Sequence, residues 1–166
     1  MMAEDKDILA RIKEKFDPEI TGSDLSGDMI TLTVIRRSIF GMIDLLKNDE
    51  ALNFNFLTSM CGIHYPESDL PLGVVYHLHN LNNNKRIRIK TFVPLSEPEL
   101  PTITTLFKAA NWMERETYDF YGIIFTGHPN LKRILNVEYL DFFPMRKEYP
   151  LEDPTREDKD NRYFGR

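Results

Sequence analysis

The stretch Val74–Val93, VVYHLHNLNNNKRIRIKTFV, decides the fold. Hydrophobic and polar residues alternate on both sides of an asparagine-rich turn, which is strand spacing. Asparagine tolerates the positive φ that tight turns need, so Val74–Asn80 and Lys85–Val93 read as a hairpin. A turn centred on Asn82 and Asn83 sets Leu78 opposite Ile87 and Tyr76 opposite Ile89. The other face then carries His77, His79, Arg86, Arg88 and Lys90. One face is core, and the other is polar and basic.

Towards the amino terminus, Ile8, Leu9, Ile12 and Phe16 form a helical stripe that Pro18 ends. Met29–Ile35 alternates as a strand. A second helix carries Ile39, Phe40, Ile43 and Leu46 on one side. Phe54–Tyr65 reads as another strand with an irregularity at Gly62. Beyond the hairpin, Pro101 and Thr102 open a helical region that runs through Ile103, Leu106, Phe107 and Ala110 to a stop at Gly122, with a break near Asn111. Ile123–Phe125 reads as a short strand, and His128-Pro129 opens a turn into a helical Leu131–Leu135. This order predicts an α+β fold, a two-layer domain with a largely antiparallel sheet and helices on one face, over residues 1–150. The remainder, 151–166, has no apolar residue from Glu152 until Tyr163 and Phe164, and reads as an extended C-terminal arm.

At 166 residues, the chain fits one domain with a modest core. Its net charge of −5 argues against nucleic acid as the main partner, because phosphate neutralisation needs a basic face. Cys61 is the single cysteine, so no internal disulfide forms, and one thiolate falls short of the four that usually hold an iron-sulfur cluster. No apolar run reaches the roughly 18 residues of a spanning helix. The acidic start lacks a signal core, which predicts a cytosolic protein, soluble or peripheral to a membrane. The glycines never approach a nucleotide-binding spacing, and no hydrolase elbow or CxxC pair occurs.

Candidate chemistry gathers in Trp112–Leu151, WMERETYDFYGIIFTGHPNLKRILNVEYLDFFPMRKEYPL. Glu114 and Glu116 resemble a carboxylate pair, but two positions along a helix separates them by about 200°. Glu116 and Asp119 share a face with Arg115, as an acid/base dyad or, more simply, an ion-pair network. Asp119 lies at the helix C-terminus, where the macrodipole disfavours a carboxylate. It therefore calls for a cation, and Arg133 and Arg146 are the nearest in the motif. His77 and His79 with His64 have the spacing of a metal site, yet Arg86 and Arg88 opposite would repel a cation, so a polar strand surface is the simpler reading. His128 reads as a turn or cap residue. Basic groups interleaved with aromatics, from Arg115 to Lys147, have the composition of an interface.

Within this segment, Glu114, Arg115 and Glu116, then Asp119, Tyr121 and Gly122, then His128, Pro129, Leu131, Lys132 and Arg133, and finally Pro144, Arg146, Lys147, Tyr149 and Pro150 follow a fixed order. That order resembles the signature of the C subunit of respiratory complex I, the proton-pumping NADH:quinone oxidoreductase. The resemblance covers nearly the whole chain and is specific from about Asn111 onward. It implies a peripheral-arm subunit without catalytic, cofactor or metal residues of its own, packed against the quinone-site subunit and near iron-sulfur subunits. FMN, iron-sulfur clusters and quinone are then held by partners, and the chain sits on the cytoplasmic side of the bacterial inner membrane, its arm across neighbouring subunits. Asn130 departs from the family's acid after His-Pro, Met145 from leucine, and Phe142-Phe143 from Gly-His. Membrane-bound hydrogenases, F420H2 or ferredoxin dehydrogenase complexes and plastid relatives use a homologous subunit, so the electron donor stays open.

Overall fold

The central hairpin forms as its alternation dictates. In the computed structural model, which describes residues 3–25, 29–149 and 155, strand β4 (Leu72–Asn80) pairs antiparallel with β5 (Lys85–Val93), with Leu78 opposite Ile87 and Tyr76 opposite Ile89. Asn80 organises the turn. Its buried side chain accepts from the backbone N–H groups of Asn82 (2.9 Å) and Asn83 (3.3 Å) and donates to the Leu52 carbonyl. Asn84 takes the positive φ, 57°.

Three further strands complete a sheet: β1 (Ile20–Asp24), β2 (Ile30–Val34) and β3 (Phe56–His64), in the order β1-β2-β5-β4-β3. All pairs are antiparallel except β2 with β5, which is parallel because the chain crosses from β2 to the far edge before returning through β4. Helix α2 (Ile39–Asn48) lies in that crossover, and α1 (Ala3–Phe16), which precedes β1, packs against it. Leu9 and Ile12 of α1 and Ile39, Met42, Ile43 and Leu46 of α2 join Leu32, Val74, Tyr76, Leu78, Ile87 and Ile89 in one core. Helix α3 (Ala110–Tyr121) packs at the β3 side, and β6 (Glu99–Pro101) pairs parallel with β7 (Ile124–Thr126) beside it. The architecture is α+β, with helices on one face of a largely antiparallel sheet.

Several local expectations fail for tertiary reasons. Pro101 ends strand β6 rather than starting a helix, and Thr102–Ala109 forms turns, because the Thr102 N–H and the Thr126 carbonyl continue the β6–β7 ladder. Leu131–Leu135 is not helical, since the N–H groups of Ile134 and Leu135 are taken by a side chain of α3. Phe40 is exposed, and Met42 takes the core position on α2. The irregularity in β3 falls between Leu57 and Ser59, not at Gly62. Gly62 is regular strand, and its bare Cα admits the Tyr121 ring, which an added Cβ would strike. Strands β1 and β6, short and mostly polar or proline-bearing, carry no alternation that sequence reading detects. The arm at 151–166 lies outside the described residues, apart from Thr155.

Candidate functional site

Helix α3 presents two faces. Ala110, Glu114 and Thr117 turn to the domain interior, and the residues between and beyond them hold an irregular strap, 128–149, along the helix. At the helix start, the His128 ring nitrogens engage the Asn111 carbonyl (3.1 Å, Nε2) and the Asn130 N–H (3.0 Å, Nδ1), so a neutral ring with hydrogen on Nε2 satisfies both. One turn on, Arg115 donates to the carbonyls of Lys132 (3.1 Å) and Arg133 (3.0 Å) while its guanidinium lies over Trp112. At the last turn, Asp119 anchors the strap's centre.

Asp119 is fully buried and accepts five hydrogen bonds. Oδ1 takes Arg133 (2.8 Å) and the Asn136 amide (3.0 Å), and Oδ2 takes the backbone N–H groups of Ile134 (3.0 Å), Leu135 (2.8 Å) and Asn136 (2.9 Å). Burial works to raise its pKa. Donors from Asn136, Arg133, Leu135 and Ile134 outweigh that and hold the carboxyl well below the usual range. Arg133 also donates to the carbonyls of Asp119, Leu140 and Phe142, which closes the loop on itself.

Past the helix, Gly122 caps α3 at φ 74°, its N–H on the Tyr118 carbonyl. An added Cβ there would meet Phe143 at 2.5 Å and Arg146 at 2.7 Å, so glycine is required by contact as well as by backbone angle. Phe143 lies between the guanidiniums of Arg133 (5.1 Å) and Arg146 (4.6 Å). Arg146 donates to the Tyr121 carbonyl (2.8 Å), which places a cation at the helix C-terminus where the dipole favours it. Pro144 is half-buried beside Phe143. The Lys147 N–H donates to Nδ1 of buried His64 (3.0 Å), and its ammonium sits over Tyr65. Pro129 is exposed, and Pro150 lies outside the described residues.

Geometry thus joins Asp119 to Arg133, as the dipole argument required, and sends Arg146 to the backbone instead. Arg115 grips strap carbonyls, and Glu116 is exposed, so the Glu116–Asp119 dyad does not form. Glu114 faces inward and, among the described residues, accepts from Thr102 Oγ1 (2.5 Å) and the Ile103 N–H (2.7 Å). Burial raises its pKa to about 7 against those two bonds. Sequence reasoning missed Asn136 and Thr102, whose roles depend on contacts across 17 and 12 positions. The stacking of Phe143 was also invisible, although Phe142-Phe143 stood out as a departure.

The histidine candidates separate. His64 pairs with Leu72 and turns into the interior, whereas His77, five positions along β4, lies on the opposite face. Nε2 of His77 accepts from Arg88 (2.8 Å), and burial, then Arg88 and Lys90, lower its pKa. Among the described residues no group of three or more His, Cys, Asp or Glu is placed to hold a metal ion.

The strap turns Ile134, Leu135, Val137 and Tyr139 outward, Leu135 at 65% and Tyr139 at 87% exposure. The buried Asp119 thus anchors a loop whose apolar side chains are exposed.

Comparisons with known proteins bear on the same segment. The family profile described as "Respiratory-chain NADH dehydrogenase, 30 Kd subunit" matches residues 32–155. The NADH-quinone oxidoreductase C subunit of Sinorhizobium medicae is 37% identical over 145 residues, 87% of this chain and 72% of that protein. Its namesake from Nocardioides sp. is 42% identical over 74% of this chain, which spans 49% of that longer relative. Among solved structures, a trypsin-resistant fragment of Nqo5 superposes with a TM-score of 0.65 at 29% identity, covering 77% of this chain and 99% of the fragment. A chain of the archaeal membrane-bound sulfane sulfur reductase, a respiratory membrane complex, superposes with a TM-score of 0.77 over 95% of this chain and 98% of its own, at 23% identity, a likeness of fold alone. The chain therefore belongs to the family of respiratory-chain NADH dehydrogenase 30 kDa subunits, whose curated bacterial relatives are named as the C subunit of NADH-quinone oxidoreductase.

Proposed function

We propose that this chain is a cofactorless scaffold subunit in the peripheral arm of a proton-translocating NADH:quinone oxidoreductase. It supports the quinone-site subunit while neighbours carry electrons from NADH through FMN and iron-sulfur clusters to quinone. The observation that carries this reading is the strap: five hydrogen bonds to one buried carboxylate fix a loop whose apolar side chains point outward. Ordering a loop before association removes an entropic cost of about 0.5 to 1.5 kcal/mol per immobilised side chain from binding.

The motif's charged groups support the same reading. Asp119 has its oxygens saturated, and both His128 nitrogens are engaged, so neither is free to exchange protons with a substrate. Arg115, Arg133 and Arg146 hold backbone carbonyls within the chain. The segment 151–166 then serves as an extended arm across neighbouring subunits, and the assembly lies on the cytoplasmic side of the bacterial inner membrane. No helix among the described residues is long and apolar enough to cross a membrane.

Replacing Leu135 and Tyr139 together by Asp in the full chain tests this. Both side chains are exposed, so the stability of the isolated chain should stay within about 0.5 kcal/mol of the parent. The amount of assembled complex should fall at least tenfold, with turnover per assembled complex unchanged. Normal assembly with lost turnover would point instead to a direct part in electron or proton transfer.

A second reading is a homologous subunit of a hydrogenase or F420H2/ferredoxin-linked complex, since the fold also occurs in an archaeal respiratory membrane complex other than an NADH dehydrogenase. Oxidation of NADH by membranes, lost on deletion of this chain, separates the two.

A further inference from the structure

The sheet's inner face holds all the core residues that the sheet contributes, and its outer face is built differently. The strand registers align Ser59, His77, Arg88, Thr31 and Asp24 in one cross-strand row. Arg88 spans that row, donating from Nε to His77 (2.8 Å) and from a terminal nitrogen towards Thr31 (3.5 Å), while Ser59 meets the other ring nitrogen of His77 (3.0 Å). The guanidinium is therefore pinned flat against the sheet. Arg86 and Lys90 lie on either side of it on β5, and neither forms an ion pair among the described residues.

Arg86, Arg88 and Lys90, at alternate positions of one strand, lie on this outer face, and among the described residues Asp24, at the far edge, is the one carboxylate in its paired rows. The chain as a whole carries a net charge of −5, so this face opposes the sign of the rest. Phe56 flanks it, 46% exposed. Arginine beside exposed aromatics is the composition of protein interfaces.

We propose that the outer face of β4 and β5 docks a carboxylate-rich surface of a neighbouring protein subunit, on the side of the sheet away from the helices. Charge complementarity selects the partner, because like-charged or neutral surfaces gain nothing from three clustered cations. A pinned arginine favours a fixed protein carboxylate over mobile lipid headgroups, which basic clusters of flexible lysines recognise. This inference rests on the chain acting within a larger complex and adds a second docking side to it.

Cys61, the single cysteine, is exposed on edge strand β3 beside Val75, in the row that contains Lys90, and it also borders a cleft with Glu116, Phe120 and Met145, so its labelling is read together with the charge reversal at Arg86 and Lys90. Maleimide labelling is compared between the free chain and the complex purified from membranes. The expected result is labelling at least tenfold slower in the complex. Arg86→Glu with Lys90→Glu should leave the melting of the free chain unchanged and make the complex lose this subunit at a lower salt concentration than the parent. Equal Cys61 labelling in a complex that retains the chain overturns this inference alone, and absence of the chain from any complex overturns the scaffold reading with it. Binding of the free chain to phosphatidylserine vesicles, abolished by the double reversal while Cys61 stays open in the complex, assigns the face to lipid and overturns the proposal.

Discussion

Glu114 and Asp119 are two buried carboxylates on one helix, and they titrate in opposite directions. Both are withdrawn from water, yet Glu114 receives two donors and rises to about 7, whereas Asp119 receives five, one from a guanidinium, and falls well below the usual range. Burial alone sets neither value; the donor count decides. The difference marks two functions within α3. Its inward side completes the domain, and its outward side fixes the strap by a charge that stays ionised.

Asp119→Asn should give the largest break. It leaves Arg133 buried without a counter-charge, a loss of about 3 to 5 kcal/mol in chemical denaturation. A change below about 1 kcal/mol would mean that the pair is not buried in solution. Glu114→Gln should act in the opposite sense. The folded group keeps its proton up to about 7 while the unfolded one releases it at about 4.3, so its contribution is full below about pH 4.3 and lost as pH rises through 7. The glutamine variant should gain about 4 kcal/mol at pH 8 and nothing at pH 4, by the difference between those pKa values.

The two groups together shape the parent's pH profile. Asp119, with a depressed folded pKa, contributes fully above the unfolded value of about 3.9 and loses that contribution as pH falls below it. Stability should therefore peak at about pH 5, and a profile still rising from about pH 5 to 8 would contradict the Glu114 assignment. Gly122→Ala should cost about 1 to 3 kcal/mol, since it meets both a positive φ and the Phe143 ring. Thermal melting measures it, and an unchanged midpoint would show that the strap has room to shift. Glu116→Gln, at an exposed position of the same helix, should stay within about 0.5 kcal/mol.

Much of the fold was legible because alternation is a local signal. The hairpin register followed from where the asparagines fall, and Gly122 as a helix stop followed from its conformational freedom. Pro101 misled because a proline at a helix start and a proline ending an edge strand look alike in sequence. Leu131–Leu135 misled for the opposite reason: its helical spacing is real, but Asp119 takes the N–H groups that a helix would use. A cation for Asp119 was predictable from the dipole. Its four other donors were not, since they come from a loop 15 to 17 positions away in sequence.

Amide hydrogen exchange at Ile134, Leu135 and Asn136 in the isolated chain tests the preorganised strap most directly. Protection in the parent chain should lie well above that of open loops, and it should be lost at these three amides in Asp119→Ala while the β4–β5 amides stay protected. Rapid exchange at all three in the parent chain would contradict it, because the Asp119 bonds would then not hold the strap in the free chain.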